Sequence, residues 1–134
     1  MTTDLIHVAQ RTLNPHWVGD RLFGNVAAAL ETAAGNVHVG VCIDTGCGTG
    51  FCAEHAAIAA MVTAGEYQIA RIVAVWRDDH RRLHVLPPCG RCRQFIRQMD
   101  PSNLDTEVLL SKGRTATLKA LIPEWEWPEP EPEP

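Results

Sequence analysis

The stretch "CAEHAAIAAMVTAG", Cys52 to Gly65, is rich in the strongest helix former, apolar on almost every face, and closed by a glycine. A helix without a polar face has to be covered all round, so this one is expected to be buried. Beyond it, "IARIVAVW" from Ile69 is a continuous apolar run rich in β-branched residues, as suits a central strand. The charged "RDDHRR" that follows reads as a solvated turn. Before the helix, "VAAALE" from Val26, the Gly35-Asn36 turn and "VHVGVCI" from Val37 read as a β-hairpin, although alanine is a weak strand former. Asp4 is placed to cap a first helix carrying Leu5, Ile6, Ala9 and Leu13 at helical spacing, which Asn14-Pro15 ends; it is expected to cover one face of the sheet.

Towards the C-terminus, Pro88 stands where a third helix begins. Cys92, Phe95, Ile96 and Met99 form its apolar stripe, and Asp100-Pro101 terminates it. Cys89 and Cys92 are therefore expected in its first turn, on one face, at the positive end of the helix dipole. "TEVLLS", the turn "KGR" and "TATLKALI" are read as a second hairpin finishing the sheet. Alternation of strands and helices predicts a three-layer α/β/α domain with a five-stranded mixed sheet over residues 1–123. Residues 124–134 are expected to be a solvated tail, its Pro-Glu repeat unable to pack a core.

The chain has 134 residues, 46% of them hydrophobic, enough for one core and few for two. A net charge of -4 without a run of Lys and Arg disfavours nucleic acid as a partner. No stretch has the length and apolarity of a membrane span, and "MTTDLIHVAQRTL" has polar residues throughout and lacks a basic start followed by an apolar run, so a cytoplasmic location is expected and no membrane partner. Five cysteines, an odd number, argue for thiolate or metal chemistry over a disulfide framework.

Cys89 and Cys92 supply half of a four-ligand clamp. The other half is best sought at another helix start, where Cys52 follows the glycine-rich "GCGTGF" and Glu54 stands two residues on. Three sulfurs leave one tetrahedral position of a zinc ion for water, the arrangement of a catalytic site, and Glu54 would face that water without ligating the metal. The competing reading is a structural four-cysteine zinc completed by Cys47 or Cys42, which would leave Glu54 idle. Cys42 by itself reads as a small buried hydrophobe on a strand, and His55 reads either as a core histidine or as a neighbour of the metal. His7, His16, His38, His80 and His84 show no convergent spacing.

At C-A-E followed by P-C-x-x-C the chain resembles the cytidine deaminase superfamily. The likeness runs from about Phe23 to Pro123, and "PCGRCRQ" is similar to the small cytidine deaminases and to the blasticidin S deaminase branch. The resemblance implies that Cys52, Cys89 and Cys92 hold Zn2+ and that Glu54 carries protons between water and a cytosine-like ring, releasing ammonia. It implies that the Ala53 amide meets the pyrimidine oxygen and that backbone at Pro87 and Pro88 meets the leaving amine. Phe23 lies one position from the family's ring-packing aromatic. Arg91 and Arg93 are candidates to temper the charge of three thiolates, with His55 beside them.

Cys42 and Asp44 stand where the family carries an Asn-x-Glu pair that holds ribose hydroxyls, which implies altered selectivity with the chemistry retained. The substrate implied is a small aminopyrimidine nucleoside or nucleoside-like compound of the cytidine, deoxycytidine or blasticidin S type, and the assembly implied is a homotetramer. Two rivals stand beside this reading: a deaminase of an aminopurine nucleoside or an RNA base, and a non-enzymatic zinc-stabilised interaction module. Trp125 and Trp127 are expected to pack on the parent domain or on a neighbour.

Overall fold

The computed structural model describes residues 3–126 and 132–133. In chain order the elements are α1 (Leu5–Thr12), β1 (His16–Val18), β2 (Arg21–Phe23), β3 (Val26–Thr32), β4 (Val37–Val41), α2 (Ala53–Thr63), β5 (Ile69–Arg77), β6 (Leu83–Leu86), α3 (Gly90–Met99), a 3-10 turn (Pro101–Asp105), β7 (Glu107–Ser111), β8 (Arg114–Thr117) and α4 (Leu118–Leu121). Five strands run β4-β3-β5-β7-β8. The pair β5 and β7 is parallel and the other pairs are antiparallel, so the sheet is mixed as expected. Helices cover both faces. Among the described residues no helix is long and apolar enough to cross a membrane.

The alanines that weaken β3 on propensity are explained by what packs on it. Ala27 and Ala29 face one way, onto Leu5 and Ala9 of α1, and Ala28 and Leu30 face the other, onto Ala53, Ala57, Ile58 and Met61 of α2. All three alanines are fully buried. Small side chains let two helices approach one strand from opposite faces, and close packing outweighs local preference. Gly40 of β4 extends the same logic: a Cβ there would lie 2.4 Å from the Ala56 Cβ and 2.5 Å from the Ala57 nitrogen.

Four details differ from the sequence expectation. The turn after β5 is followed by a returning strand, β6, which adds a sixth strand to the sheet. It pairs with Ala74–Arg77 on the edge of β5 that β7 uses only at Arg71 and Ile72. Asp78 shapes that turn, its Oδ1 accepting from the amides of His80 (2.8 Å) and Arg82 (2.9 Å). Leu118–Leu121, expected as strand, is helical because pairing of β8 ends at Thr117, which caps the helix, and Leu118 turns into the core. Cys89 is the N-cap of α3 rather than a residue of its first turn, and Pro88 lies just before it. A small hairpin, β1 and β2, was also not expected.

Buried Asn103 stitches the 3-10 turn to its neighbours. Its Oδ1 accepts from the Ile69 amide at 2.8 Å, and its Nδ2 donates to the carbonyls of Tyr67 and Ile96, both at 3.0 Å. This joins the start of β5 to the last turns of α3.

Two measurements check this description. Gly40→Ala is expected to lower unfolding free energy by about 1–3 kcal/mol in urea titrations, whereas Gly113→Ala, which meets nothing within 4 Å, serves as the neutral control. The second concerns Asp78, whose carboxyl is held well below the usual range by hydrogen bonds from His84 and Arg82. Because its folded pKa lies below the unfolded value near about 3.9, its stabilisation is complete above that pH and is lost on further acidification. The melting-temperature gap between the parent and Asp78→Asn should therefore narrow as pH falls below about 4.

Candidate metal centre and its cavity

Two helices begin at the same place. Cys52 is the N-cap of α2 and Cys89 the N-cap of α3, each with extended backbone and neither using its side chain to cap. Serine or aspartate is the usual choice at such positions, because its oxygen satisfies a free amide. Cysteine forgoes that bond and leaves its sulfur available. Cys92, one turn into α3, completes a group whose sulfurs all lie within 4.8 Å of one another. The Cys52–Cys89 sulfur separation is 3.7 Å and the Cys89–Cys92 separation 3.4 Å.

A tetrahedral zinc with Zn–S bonds of about 2.3 Å needs sulfurs about 3.8 Å apart, so this donor set fits the ion with small adjustment. Among the described residues neither Cys42 nor Cys47 belongs to the group. Cys42 instead donates to Asn25, and Cys47 is exposed. Among the described residues the group offers three sulfurs and no fourth ligand atom, which suits the open reading better than a closed four-cysteine site.

Glu54, in the first turn of α2, is buried, with Oε2 3.5 Å from the Cys92 sulfur. Burial pushes its pKa above the usual carboxylate range, against the lowering effect of its own backbone amide and of Cys92. It is thus a carboxyl suited to taking and returning a proton. Burial also raises the pKa of the Cys52 and Cys92 thiols. At Cys89 burial acts in the same direction, but amide donors from Cys92 and Arg91 help hold the thiol below its ordinary value.

His55 stacks on Phe95, with ring centroids 4.2 Å apart and planes 5° from parallel, and its Nδ1 lies 3.5 Å from the Cys92 sulfur. Burial, and then the nearby Arg91 charge, lower its pKa and favour the neutral ring. This histidine is packed against Phe95 and also touches the Cys92 sulfur. The two arginines separate. Arg93 is committed to backbone, donating from Nε to the Pro88 carbonyl at 2.9 Å and from Nη1 to the Leu121 carbonyl at 3.0 Å. Arg91 lines the cavity, with only a long 3.5 Å contact to the Gly50 carbonyl.

That cavity, about 520 Å³ in volume, opens over the cysteines and Glu54. Its size lies within the usual range for small-molecule sites. Ala53, Cys42 and Asp44 are in its lining, as is Pro87. Ala53 is the first residue of α2, where amides lack intrahelical acceptors. Pro88 and Phe23, both expected at the substrate, are outside the lining. The Pro88 carbonyl is occupied by Arg93, and Phe23 lies on β2 paired with His16. Trp125 packs on the domain through Arg97, whose guanidinium carbon sits 5.0 Å from its ring centre. Trp127 lies outside the described residues.

Thr45, Leu86 and Asn25 are among the lining residues that escaped the sequence reading. Asn25, just before β3, reaches the cavity beside Cys42. The available signal was faint, a single amide at the entry to an apolar strand, and only the pairing of Cys42 with Val26 brings the two together.

No family model matches the chain. It is 33% identical over 104 residues to a Blasticidin-S deaminase of Bacillus cereus, 74% of each chain being covered. Cytidine deaminase from Burkholderia pseudomallei superposes with a TM-score of 0.72 at 28% identity, covering 92% of this chain and 98% of that one. Cytidine deaminase from Mycobacterium tuberculosis gives 0.73 at 27% identity, covering 92% and 97%.

Metal analysis of the purified protein should find about one zinc per chain, as an open three-sulfur site requires. Cys89→Ser or Cys92→Ser should lose most of it. Cys47→Ser should keep it, and loss there would mean that Cys47 is a ligand.

Proposed function

The chain belongs to the cytidine deaminase superfamily, and from that premise we propose that it is a zinc-dependent hydrolytic deaminase of a small aminopyrimidine nucleoside or nucleoside-like compound. The observation that carries this reading is the buried Glu54 carboxyl beside a three-thiol cluster, facing a cavity large enough for such a compound. Cys52, Cys89 and Cys92 would hold the ion. When bound, zinc acts as a Lewis acid that lowers the pKa of water to about 7 and so supplies a nucleophile at neutral pH.

The chain's own residues handle the protons and the substrate. Glu54 accepts a proton from the attacking water and gives it to the ring nitrogen beside the amino-bearing carbon. It then takes the proton of the newly added hydroxyl and passes it to the departing amine, so that water is consumed and ammonia and a carbonyl are formed. The Ala53 amide, free at the start of α2, is a donor for the ring oxygen. Arg91 offsets part of the thiolate charge and His55 supports Cys92, which keeps the metal a stronger Lewis acid than three bare thiolates would. An assembly of four copies belongs to the same proposal, supported by exposed Trp17 and Val18 on β1 and Val37 and Val39 on the edge strand β4.

Glu54→Gln is the decisive substitution. Deamination of cytidine, deoxycytidine or blasticidin S, followed by ammonia release, is expected to fall by at least 10²- to 10⁴-fold, roughly the range for general acid–base catalysis. Zinc content and melting temperature should stay at parental levels. A variant that keeps full activity would remove Glu54 from the chemistry, and one that loses zinc would make Glu54 a ligand.

A further inference from the structure

The larger cavity has a smaller neighbour across the sheet. About 220 Å³ in volume, it is bordered by Gln10, Leu13, Pro15, Asn25 and Arg77, and of these Asn25 alone also borders the space over the cysteines. Strand alternation puts the two on opposite faces. Val73 and Val75 of β5 pack with Leu5 and Ala9 on the α1 side, and Arg77, two residues on, continues that row. Ala53 and Glu54 border the larger space from the α2 side. The register of β3 and β5, with Ala27 opposite Val75 and Val26 opposite Trp76, sets Asn25 across from Arg77 when continued by one residue. The cleft is therefore framed by the last turn of α1 and the adjoining ends of two central strands.

Its polar lining consists of two carboxamides and one guanidinium, with no acid among them. Two arginines stand on this face of β5, and their surroundings differ. Arg71 is paired with Glu31 at 3.0 Å. Arg77 has no carboxylate partner among the described residues; its Nη1 donates to the Arg81 carbonyl at 2.8 Å, which leaves the rest of its donor fork unused. The adjacent acid, Asp78, is taken up by Arg82 and His84. Arg77 is half-buried, so water only partly replaces the missing counter-charge. Asn25 commits Oδ1 to the Cys42 thiol, and neither its NH2 group nor the Gln10 side chain has a protein partner among the described residues.

Unused donors around a half-buried positive charge complement an oxyanion, and the planar guanidinium suits a carboxylate, which it can meet with two parallel bonds. Leu13 and Pro15 add an apolar wall. Leu13 is also the C-cap of α1, where the negative end of the helix dipole repels an anion, so the charged group belongs against Arg77 and an apolar stem against Leu13 and Pro15. We infer that this cleft binds a small organic carboxylate, with Arg77 as the ion-pairing residue and Gln10 and Asn25 as neutral donors. The ligand sits across Asn25 from the larger cavity, outside the reacting space, and its binding does not depend on deamination.

Calorimetry on the zinc-loaded full chain, with butyrate as the probe, tests this. Saturable binding with a Kd of about 1 mM is expected, the scale of one bidentate ion pair with a short stem. Butyramide, of the same shape without the charge, should bind at least about tenfold more weakly. Acetate should bind roughly three- to tenfold more weakly than butyrate, because it lacks the methylene groups that meet the apolar wall. Arg77→Gln should lower butyrate affinity at least about tenfold, and Gln10→Ala about threefold. Arg91→Gln is the control for location, since a carboxylate held beside the thiol cluster would respond to Arg91; here butyrate affinity should stay within about twofold of the parent.

Parental affinity in folded Arg77→Gln would overturn the inference, as would equal binding of butyramide or no saturation below about 50 mM butyrate. Loss of binding in Arg91→Gln alone would put the carboxylate in the larger cavity and overturn it equally. If Arg77→Gln does not fold, Arg77→Lys keeps the charge and removes the fork, and a loss of about threefold or more is expected there; unchanged affinity in that variant and in Gln10→Ala would count against the site.

Discussion

Two helix starts aimed at one point are the constraint on which the rest of the molecule depends. Three thiols with neighbouring sulfurs 3.4 and 3.7 Å apart are tolerable as thiols, but as thiolates they repel one another strongly. A cation resolves that conflict, and the first turns of α2 and α3 add their dipoles to it. Glu54 sits against Cys92 and is itself buried. Its tendency to hold a proton is therefore built into the site by desolvation, without any dedicated acid or base beside it.

The scaffold's departures from local preference serve this convergence. Alanines in β3 and Gly40 in β4 let α2 lie close against the sheet. The return strand β6 brings Pro87 and Cys89 back to the same side, and Arg93 clamps the entry of α3 by bonding the Pro88 and Leu121 carbonyls. Asn103 anchors the far end of α3 to the start of β5. Helix starts are thus set by packing at their far ends as well as by their own residues, and the sulfurs inherit that precision.

Much of this was legible from spacing. The central β5, the hairpin of β3 and β4 and the cluster of Cys52, Glu54, Cys89 and Cys92 follow from periodicity or from short motifs, whereas α2, expected to be covered all round, buries only one side and leaves Ala59, Ala60 and Thr63 exposed. The readings that went astray share a cause. "TATLKALI" looks like one strand because its pattern does not record that pairing stops at Thr117. The strand β6 hides behind a charged turn because its four residues earn their place only by filling an edge that β7 leaves open.

Donor types and their placement at helix starts were determined by the sequence alone, since a spacing of two or three residues within one turn leaves little geometric freedom. Which arginine faces the cavity, that Pro87 rather than Pro88 lines it, and that Asn25 meets Cys42 were decided only by the tertiary structure. Those relations depend on strand register and on the rotation of α3 about its axis. Both are set by packing among segments far apart in the chain, which local propensity does not encode.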